Sequence, residues 1–241
     1  MKKSVLSRLV MCLALMLAFT ATVEAQKHKI PSTLSGEARD FYVLASEGDE
    51  FAQMALAYCY QNGENAPLDY NTAIYWYQQA ATKGNVIAQY NLGSIYDEGK
   101  YVPRNLELAT YWYQMAAEKG DAMAQCGLAN CYFNGDYFKT DYKKAAMWYE
   151  KAALQGNAVG QRCLGICYDE GKGVKKNQKK AAEWYLKAAE QGDVDAQYNL
   201  GALYYQGKGV KKDKKKAAEW LQKAASQGDQ DAIELLQKLN K

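Results

Sequence analysis

Residues 195–228 read DAQYNLGALYYQGKGVKKDKKKAAEWLQKAASQG, and closely similar stretches precede them at a constant step of 36 residues. Several residue types form columns with this step, and no insertion breaks the register. The clearest columns are Trp76, Trp112, Trp148, Trp184 and Trp220; Tyr60, Tyr96, Tyr132, Tyr168 and Tyr204; Gln53, Gln89, Gln125, Gln161 and Gln197. Self-similarity at such a period predicts an array of stacked structural repeats.

Each repeat is predicted to contain two helices. In the first, Ala52, Leu56 and Tyr60 are four residues apart, which places them on one helical face. In the second, apolar residues between positions 73 and 81 follow the spacing of an amphipathic helix. A glycine ends the second helix, and an Asp or Asn that suits a helix N-cap follows it, as at residues 84–85. The fold class is therefore all-α.

The repeat register predicts the domain organisation. One repeat cannot bury its own apolar face, so helices at both ends are expected to cap the stack. The predicted segments are a signal peptide at 1–25, a linker at 26–36, an N-terminal capping helix at 37–48, repeats at 49–84, 85–120, 121–156, 157–192 and 193–228, and a C-terminal capping helix at 229–241.

The first residues are typical of a bacterial secretory signal peptide. Lys2, Lys3 and Arg8 give a positive start, and an unbroken apolar run of 11 residues follows at 9–19. The triplet Val-Glu-Ala at 23–25 predicts cleavage at its end. The run is shorter than the ~20 residues of a membrane-spanning helix. We therefore expect an exported protein, periplasmic or secreted, with no transmembrane segment after cleavage.

These columns resemble the Sel-1-like repeat family, which is related to the tetratricopeptide repeats. Residues 195–228 match its pattern throughout, residues 87–120 and 159–192 match nearly as well, and the resemblance covers about 49–240. It implies a right-handed α-solenoid that acts as an adaptor or scaffold for a protein or peptide. The third repeat departs from the pattern, with Asp-Tyr-Phe-Lys at 136–139 in place of a Lys-Gly-Val type loop.

The same resemblance raises an enzymatic alternative, since some cysteine-rich bacterial members have been linked to β-lactam binding or hydrolysis. Their disulfides join one repeat's second helix to the next repeat's first helix. Ala81, Ala117 and Ala153 stand here in place of the first cysteine, so that pairing is absent.

The residues themselves favour a protein that is not an enzyme. The only histidine, His28, lies in the linker, and no Ser is followed by Lys three positions later. The Gly-Lys-Gly triplets at 171–173 and 207–209 recur in the repeat register and are interpreted as turns. Neither a cofactor nor a metal is expected.

The cysteines are predicted to be small buried hydrophobes. Cys59, Cys131 and Cys167 share a column with Ile95 and Leu203, so this position accepts apolar residues of medium size. Whether any of the cysteines pair stays open.

The charge is divided along the chain. Residues 26–120 carry 7 Lys+Arg and 11 Asp+Glu, whereas residues 121–241 carry 20 and 15. Seven lysines, which we call the basic edge, stand in the last two loops and at the helix starts that follow. They are Lys175, Lys176, Lys179, Lys180, Lys211, Lys212 and Lys215. They are interpreted either as a solvated surface or as a docking site for an acidic protein or an anionic envelope surface; a nucleic acid partner is not expected.

A binding face can be predicted if the array curves as tetratricopeptide repeats do, with the first helices lining the concave side. The columns expected to be exposed there vary between repeats, whereas the packing columns do not. They include Cys126, Asp169 and Ala202, and the predicted partner-binding residues are Met54, Tyr58, Tyr90, Asn130, Phe133, Arg162, Tyr198 and Tyr205. Tyr and Arg are common interface anchors. Ordinary surface variation would give the same pattern.

Together these observations predict an exported scaffold that binds a protein or extended peptide in a concave groove. One alternative is binding or hydrolysis of a β-lactam or cell-wall ligand, and another is a secreted effector that binds host proteins. The sequence leaves the partner's identity and the oligomeric state open.

Overall fold

The structure, a computed structural model, describes residues 30–239. The predicted signal peptide, His28 and residues 240–241 lie outside the described residues. Within them the chain forms twelve helices and no strand, arranged as consecutive helix pairs. The predicted all-α solenoid of helix–turn–helix repeats is confirmed.

The chain divides into two compact units, one ending at Leu92 and the other beginning at Gly93. The first contains α1 Gly36–Glu47, α2 Glu50–Asn62, α3 Tyr70–Thr82 and the beginning of α4 Val86–Glu98. The second contains the rest of α4 and eight further helices. These are α5 Leu106–Glu118, α6 Ala122–Asn134, α7 Tyr142–Leu154, α8 Ala158–Glu170, α9 Gln178–Glu190, α10 Val194–Gln206, α11 Lys214–Ser226 and α12 Gln230–Leu239.

Helix boundaries follow the capping residues. The Asp49 carboxylate accepts the Ala52 N–H at 2.7 Å, and the Asp69 carboxylate accepts the Asn71 and Thr72 N–H groups. These side chains satisfy amide groups that have no partner inside the helix. Gly84, at φ +105°, adopts the left-handed backbone that ends α3 before the next cap.

Each repeat is packed around a leucine and a set of alanines. Leu56, Leu92, Leu128, Leu164 and Leu200 are fully buried, one in each first helix. The alanines of the second helices, such as Ala152 and Ala153 on α7, are buried as well. Small side chains let the helix backbones approach closely.

A buried glutamine column connects each first helix to the helix before it. Gln53 donates its side-chain N–H to the Ala45 carbonyl at 3.0 Å, and Gln197 donates to the Ala189 carbonyl at 3.1 Å. Gln89, Gln125 and Gln161 make the equivalent bond. Each of these carbonyls also accepts the N–H of the glycine that ends its helix, as Ala45 does from Gly48 at 3.1 Å. The glutamine therefore adds a second bond to the same oxygen, and this bond satisfies the glutamine's own buried N–H group.

Three cysteines occupy the predicted buried column. Cys59, Cys131 and Cys167 are buried, as predicted, and the described cysteines are all free thiols. None of the helices between residues 30 and 239 is long and apolar enough to cross a membrane.

Candidate protein-binding site

A polar cleft of about 350 Å³ lies in the second unit, between the fourth and fifth repeats. Three helices and the loops that follow two of them form its walls. α8 and its loop contribute Asp169, Glu170 and Lys176; α9 contributes Gln178 and Tyr185; α10 and its loop contribute Tyr198, Asn199, Ala202, Leu203, Gln206 and Lys208. The first helices of both repeats thus border the cleft, together with the second helix that lies between them.

Local helical geometry turns the α10 residues toward the cleft. Tyr198 and Ala202 are four residues apart, so they share one helical face. Leu200, two residues from each of them, lies on the opposite face of α10 and is fully buried. Both residues line the cleft, and the short side chain of Ala202 occupies little of its space.

The cleft carries hydrogen-bonding groups of both kinds. The Asp169 carboxylate accepts a hydrogen bond from the Gln178 side-chain amide at 3.2 Å, which holds the acid at the wall. Burial, together with the nearby carboxylates of Asp169 and Glu170, raises the pKa of Tyr185 above its usual value. The Tyr185 hydroxyl is therefore protonated at neutral pH, so it can both donate and accept a hydrogen bond.

The rim carries charges of both signs. Asp169 and Glu170 stand on one helix end, whereas Lys176 and Lys208 belong to the loops after α8 and α10. Burial, with help from Asp231, raises the pKa of Tyr198 as well. Such a site can bind peptide amides through its polar side chains and charged side chains through its rim.

Among the eight predicted partner-binding residues, Tyr198 lines this cleft. Asp169 and Ala202, which belong to the predicted variable columns, line it too. Tyr205 lies elsewhere on α10, where the Lys212 ammonium is 6.0 Å from its ring centroid.

Three other predicted residues of the second unit contact neighbouring side chains of the protein. Arg162 forms ion pairs with Asp193 at 3.0 Å and Asp195 at 3.1 Å. Asn130 accepts a hydrogen bond from the Tyr149 hydroxyl. The Phe133 ring packs edge-on against Tyr142 and Tyr149, at centroid distances of 5.1 and 6.2 Å.

The first unit contains the remaining predicted residues. Tyr58 is 49% exposed, while Met54 and Tyr90 are half-buried. The expectation that Cys126 is exposed was wrong, since only 4% of it is accessible. Its thiol lies 3.4 Å from the Asn157 side-chain oxygen, which belongs to the next repeat.

Sequence reasoning missed the amide-bearing residues Gln178, Asn199 and Gln206. Asn199 belongs to a column that also varies, with Asn91, Gly127 and Cys163 at equivalent positions. That variation was an available signal. Gln178 begins a second helix, whereas the predicted binding face consisted only of first-helix residues.

The basic edge is exposed along its whole length. The Lys180 ammonium lies 5.0 Å from the centroid of the Tyr168 ring. Across residues 30–239 no group of three or more His, Cys, Asp and Glu side chains could hold a metal ion.

The chain is similar in sequence to a known family of repeats. The Sel1 repeat matches it over residues 51–85, 86–121, 122–157, 158–193 and 194–229. These segments begin one or two residues after the boundaries predicted from the glycine and cap columns. A search of curated proteins found no match.

Two solved structures are similar to the chain in both sequence and fold. One is a protective antigen present in uropathogenic Escherichia coli strains, which displays an SLR fold: identity is 36%, the TM-score 0.79, and the match covers 84% of this chain and 43% of that one. The other is a Sel1 repeat protein from Oxalobacter formigenes, with 32% identity, a TM-score of 0.72, and coverage of 78% and 77%. The chain thus spans less than half the length of the antigen.

Proposed function

This chain belongs to the Sel1 repeat family, whose members generally act as protein-interaction scaffolds, and from that premise we propose that it binds an extended segment of another protein in the cleft between its fourth and fifth repeats. The observation that carries the proposal is the convergence of Asp169, Tyr198 and Ala202 on one polar space of about 350 Å³. These residues belong to columns that differ from repeat to repeat.

The composition of the cleft suits a peptide. Tyr198 offers a rigid aromatic surface with a polar tip, which is common at recognition sites. Gln178, Asn199 and Gln206 carry amides that can pair with peptide N–H and C=O groups. Since Asp169 and Glu170 line the same cleft as Lys176 and Lys208, we expect a segment that carries charges of both signs.

A displayed library of random peptides tests this function. Peptides selected on the wild-type protein should lose binding to Tyr198→Ala and to Ala202→Arg, which fills the cleft. They should keep binding to the matched control Tyr111→Ala, because Tyr111 is an exposed tyrosine on α5, outside the cleft. If the selected peptides bind all three variants equally well, the cleft is not the recognition site.

We propose that the protein has no catalytic role, as is typical of its family. Burial raises the pKa of the Cys59, Cys131 and Cys163 thiols and raises those of Cys126 and Cys167 to about 12. A nucleophilic cysteine requires the opposite shift, because the thiolate is the reactive form. Turnover of a chromogenic cephalosporin by the purified protein would overturn this part of the proposal.

Export is also part of the proposal, and it rests on the basic start, the apolar run at 9–19 and the triplet at 23–25. The expected mature protein begins at Gln26. N-terminal sequencing of protein recovered from periplasmic and culture fractions tests the cleavage and separates the two destinations. Recovery of the uncleaved chain from the cytoplasm alone would refute export.

A further inference from the structure

The loops of the second unit stack on the preceding repeat and thereby join the lysines of two repeats. A Cβ added to Gly209 would lie 2.2 Å from the carbonyl oxygen of Gln178 and 2.7 Å from the amide nitrogen of Lys179. The loop that carries Lys211 and Lys212 therefore rests directly on the start of α9. Both halves of the basic edge form one continuous surface.

The same contact recurs one repeat earlier. A Cβ on Gly173 would lie 1.9 Å from the carbonyl oxygen of Tyr142 and 2.9 Å from the amide nitrogen of Lys143. The loop before Lys175 therefore rests on the start of α7. The positively charged surface continues through Lys143 and Lys144 to the third repeat.

Most of this charge is not neutralised within the protein. Residues 171–216 contain 12 lysines and 5 acidic residues. Among the ion pairs of the described residues, Lys172–Glu170 and Lys144–Asp141 are the only ones that involve lysines of this surface. Adjacent repeats lie about 8–10 Å apart, close to the Debye length of about 8 Å at physiological salt, so salt screens their charges from each other only in part.

Protein stability does not explain the arrangement. Lys179 and Lys180 lie in the first turn of α9, and Lys215 lies in the first turn of α11. A cation there opposes the positive end of the helix dipole. Neighbouring lysines also repel each other, and an external anion would relieve both unfavourable effects.

Exposed tyrosines extend the surface at its third-repeat end. Tyr137 is 40% exposed and its hydroxyl donates to the Glu107 carboxylate at 3.2 Å, whereas Tyr142 is 38% exposed. The Lys172 ammonium lies 5.4 Å from the centroid of the Tyr142 ring. Tyrosine beside lysine is the combination found where proteins meet lipid headgroups, because the ring is apolar and its tip is polar.

The choice of lysine separates two classes of anionic partner. Residues 171–216 contain no arginine. Protein–protein interfaces are enriched in arginine and depleted of lysine, since the planar guanidinium pairs with carboxylates in fixed geometry. Lysines on long flexible stems instead suit diffuse attraction to a layer of phosphate groups.

We propose that the basic edge, with Tyr137 and Tyr142 beside it, docks the protein on the surface of an anionic lipid bilayer. The contact is peripheral: the ammonium groups lie among the lipid phosphates, and no helix enters the hydrocarbon core. Lys176, at the rim of the peptide cleft, belongs to the same edge. Docking would therefore bring the cleft close to the membrane surface, and it does not depend on the cleft being occupied.

Vesicle co-sedimentation tests the docking. The full chain is mixed with phosphatidylcholine vesicles that contain one third phosphatidylglycerol, at low salt, and with pure phosphatidylcholine vesicles. The test variant is Lys175→Glu/Lys211→Glu, since both side chains are exposed. The control, Gln222→Glu/Gln230→Glu/Lys238→Glu, changes the net charge by the same four units at exposed positions outside the edge.

We expect the wild type to bind the anionic vesicles more tightly than the neutral ones, and the test variant to lose about tenfold in affinity or more. The control should bind almost as the wild type does. The apolar run at 9–19 is present in all three proteins and does not affect their comparison. Circular dichroism and urea midpoints verify that each variant folds.

Three outcomes would overturn the proposal. Equal binding of the wild type and the test variant to the anionic vesicles would show that the basic edge does not direct docking. An equal loss in the test and control variants would show that net charge matters rather than the edge. Binding to soluble polyglutamate without binding to vesicles would assign the edge to an acidic protein partner.

Discussion

Gln191 donates its side-chain N–H to the side-chain oxygen of Gln161 at 2.8 Å, and the same nitrogen lies 2.9 Å from the carbonyl oxygen of Gly156. Gln161 is buried, and its own nitrogen is bonded to the Ala153 carbonyl. Gln191 therefore provides a hydrogen-bond donor for the buried side-chain oxygen of Gln161, which would otherwise have no partner. Gln155 and Gln227 do the same for Gln125 and Gln197.

The first repeat lacks this arrangement. Lys83 occupies the position equivalent to Gln191 and donates to the Gly48 carbonyl, while the side-chain oxygen of Gln53 is buried without a partner. We expect Lys83→Gln to stabilise the protein by about 0.5–1.5 kcal/mol, because the new amide can donate to Gln53. The measurement is a urea unfolding curve, compared with that of Lys83→Met, which provides no donor. Equal midpoints for the two variants would refute this prediction.

Gly173, in one of the stacked loops, is required for two reasons: its backbone is left-handed, and there is no room for a side chain. Gly173 has φ +75°, and a Cβ added there would collide with the Tyr142 carbonyl. Gly192 has φ +95°, but the space around it is open. We expect Gly192→Ala to cost about 1–2 kcal/mol from backbone strain. Gly173→Ala should cost clearly more, since the loop must also move away from α7. Thermal unfolding of the two alanine variants makes the comparison, and similar losses would contradict it.

Lysines cover the tryptophans of the last three repeats. The ammonium groups of Lys151, Lys187 and Lys223 lie 3.8, 4.1 and 3.9 Å from the ring centroids of the tryptophans three residues earlier. We expect a coupling of about 0.5–1 kcal/mol between Lys187 and Trp184. A double-mutant cycle with Lys187→Met and Trp184→Leu measures it in urea. Additive losses would show that the contact contributes nothing.

Much of the fold could be predicted because packing repeats with the chain. Every repeat needs the same small alanines, the same buried leucine and the same caps, so these columns report the core directly. The burial of Cys126 could not be read in this way. Arg162, at the equivalent position one repeat later, stays half-buried, since its long side chain reaches Asp193. Exposure at this position depends on the next repeat as well as on the helical face.

The cleft was only partly predictable for a related reason. Tyr198, Ala202 and Asp169 belong to first-helix columns whose variation marks them as free of packing. Gln178 comes from the start of a second helix. The cleft is lined by residues of α8, α9 and α10, and no single column describes a combination of residues from different helices.

The buried thiols give the protein a defined alkaline response. Burial raises the pKa of Cys126 and of Cys167 to about 12 from an ordinary value of 9. Between pH 9 and 12 the unfolded chain loses these protons while the folded chain keeps them, so the free energy of unfolding falls as pH rises. Below pH 9 both states are protonated and the effect vanishes.

We therefore expect urea midpoints of the wild type to fall from pH 9 upward. Cys126→Ala/Cys167→Ala should show a smaller fall over the same range, although it starts from a lower stability because it leaves small cavities. Tyr60, whose pKa burial raises to about 12, contributes to the remaining decrease above pH 10. Parallel pH curves for the two proteins would exclude the thiols as the cause.

We expect Arg162 to contribute mainly to the stability of the fold, through two ion pairs of unequal strength. Its side chain is 23% exposed, and Asp193, at 12%, is more deeply buried than Asp195, at 62%. We expect a coupling of about 1.5–3 kcal/mol with Asp193, a buried charged hydrogen bond, and about 0.2–1 kcal/mol with Asp195, an exposed pair. Double-mutant cycles of Arg162→Met with Asp193→Asn and with Asp195→Asn measure both couplings. Asparagine keeps the cap of α10 while it removes the charge.

Negligible couplings with both aspartates would mean that the ion pairs do not hold Arg162 between the repeats, and its role as a partner anchor would then be favoured. A dominant Asp193 coupling has a different consequence for binding experiments. Loss of a partner in an Arg162 variant would then follow from loosened packing between repeats four and five, which border the cleft. Tyr198→Ala, assayed together with its urea midpoint, is the variant that separates recognition from folding.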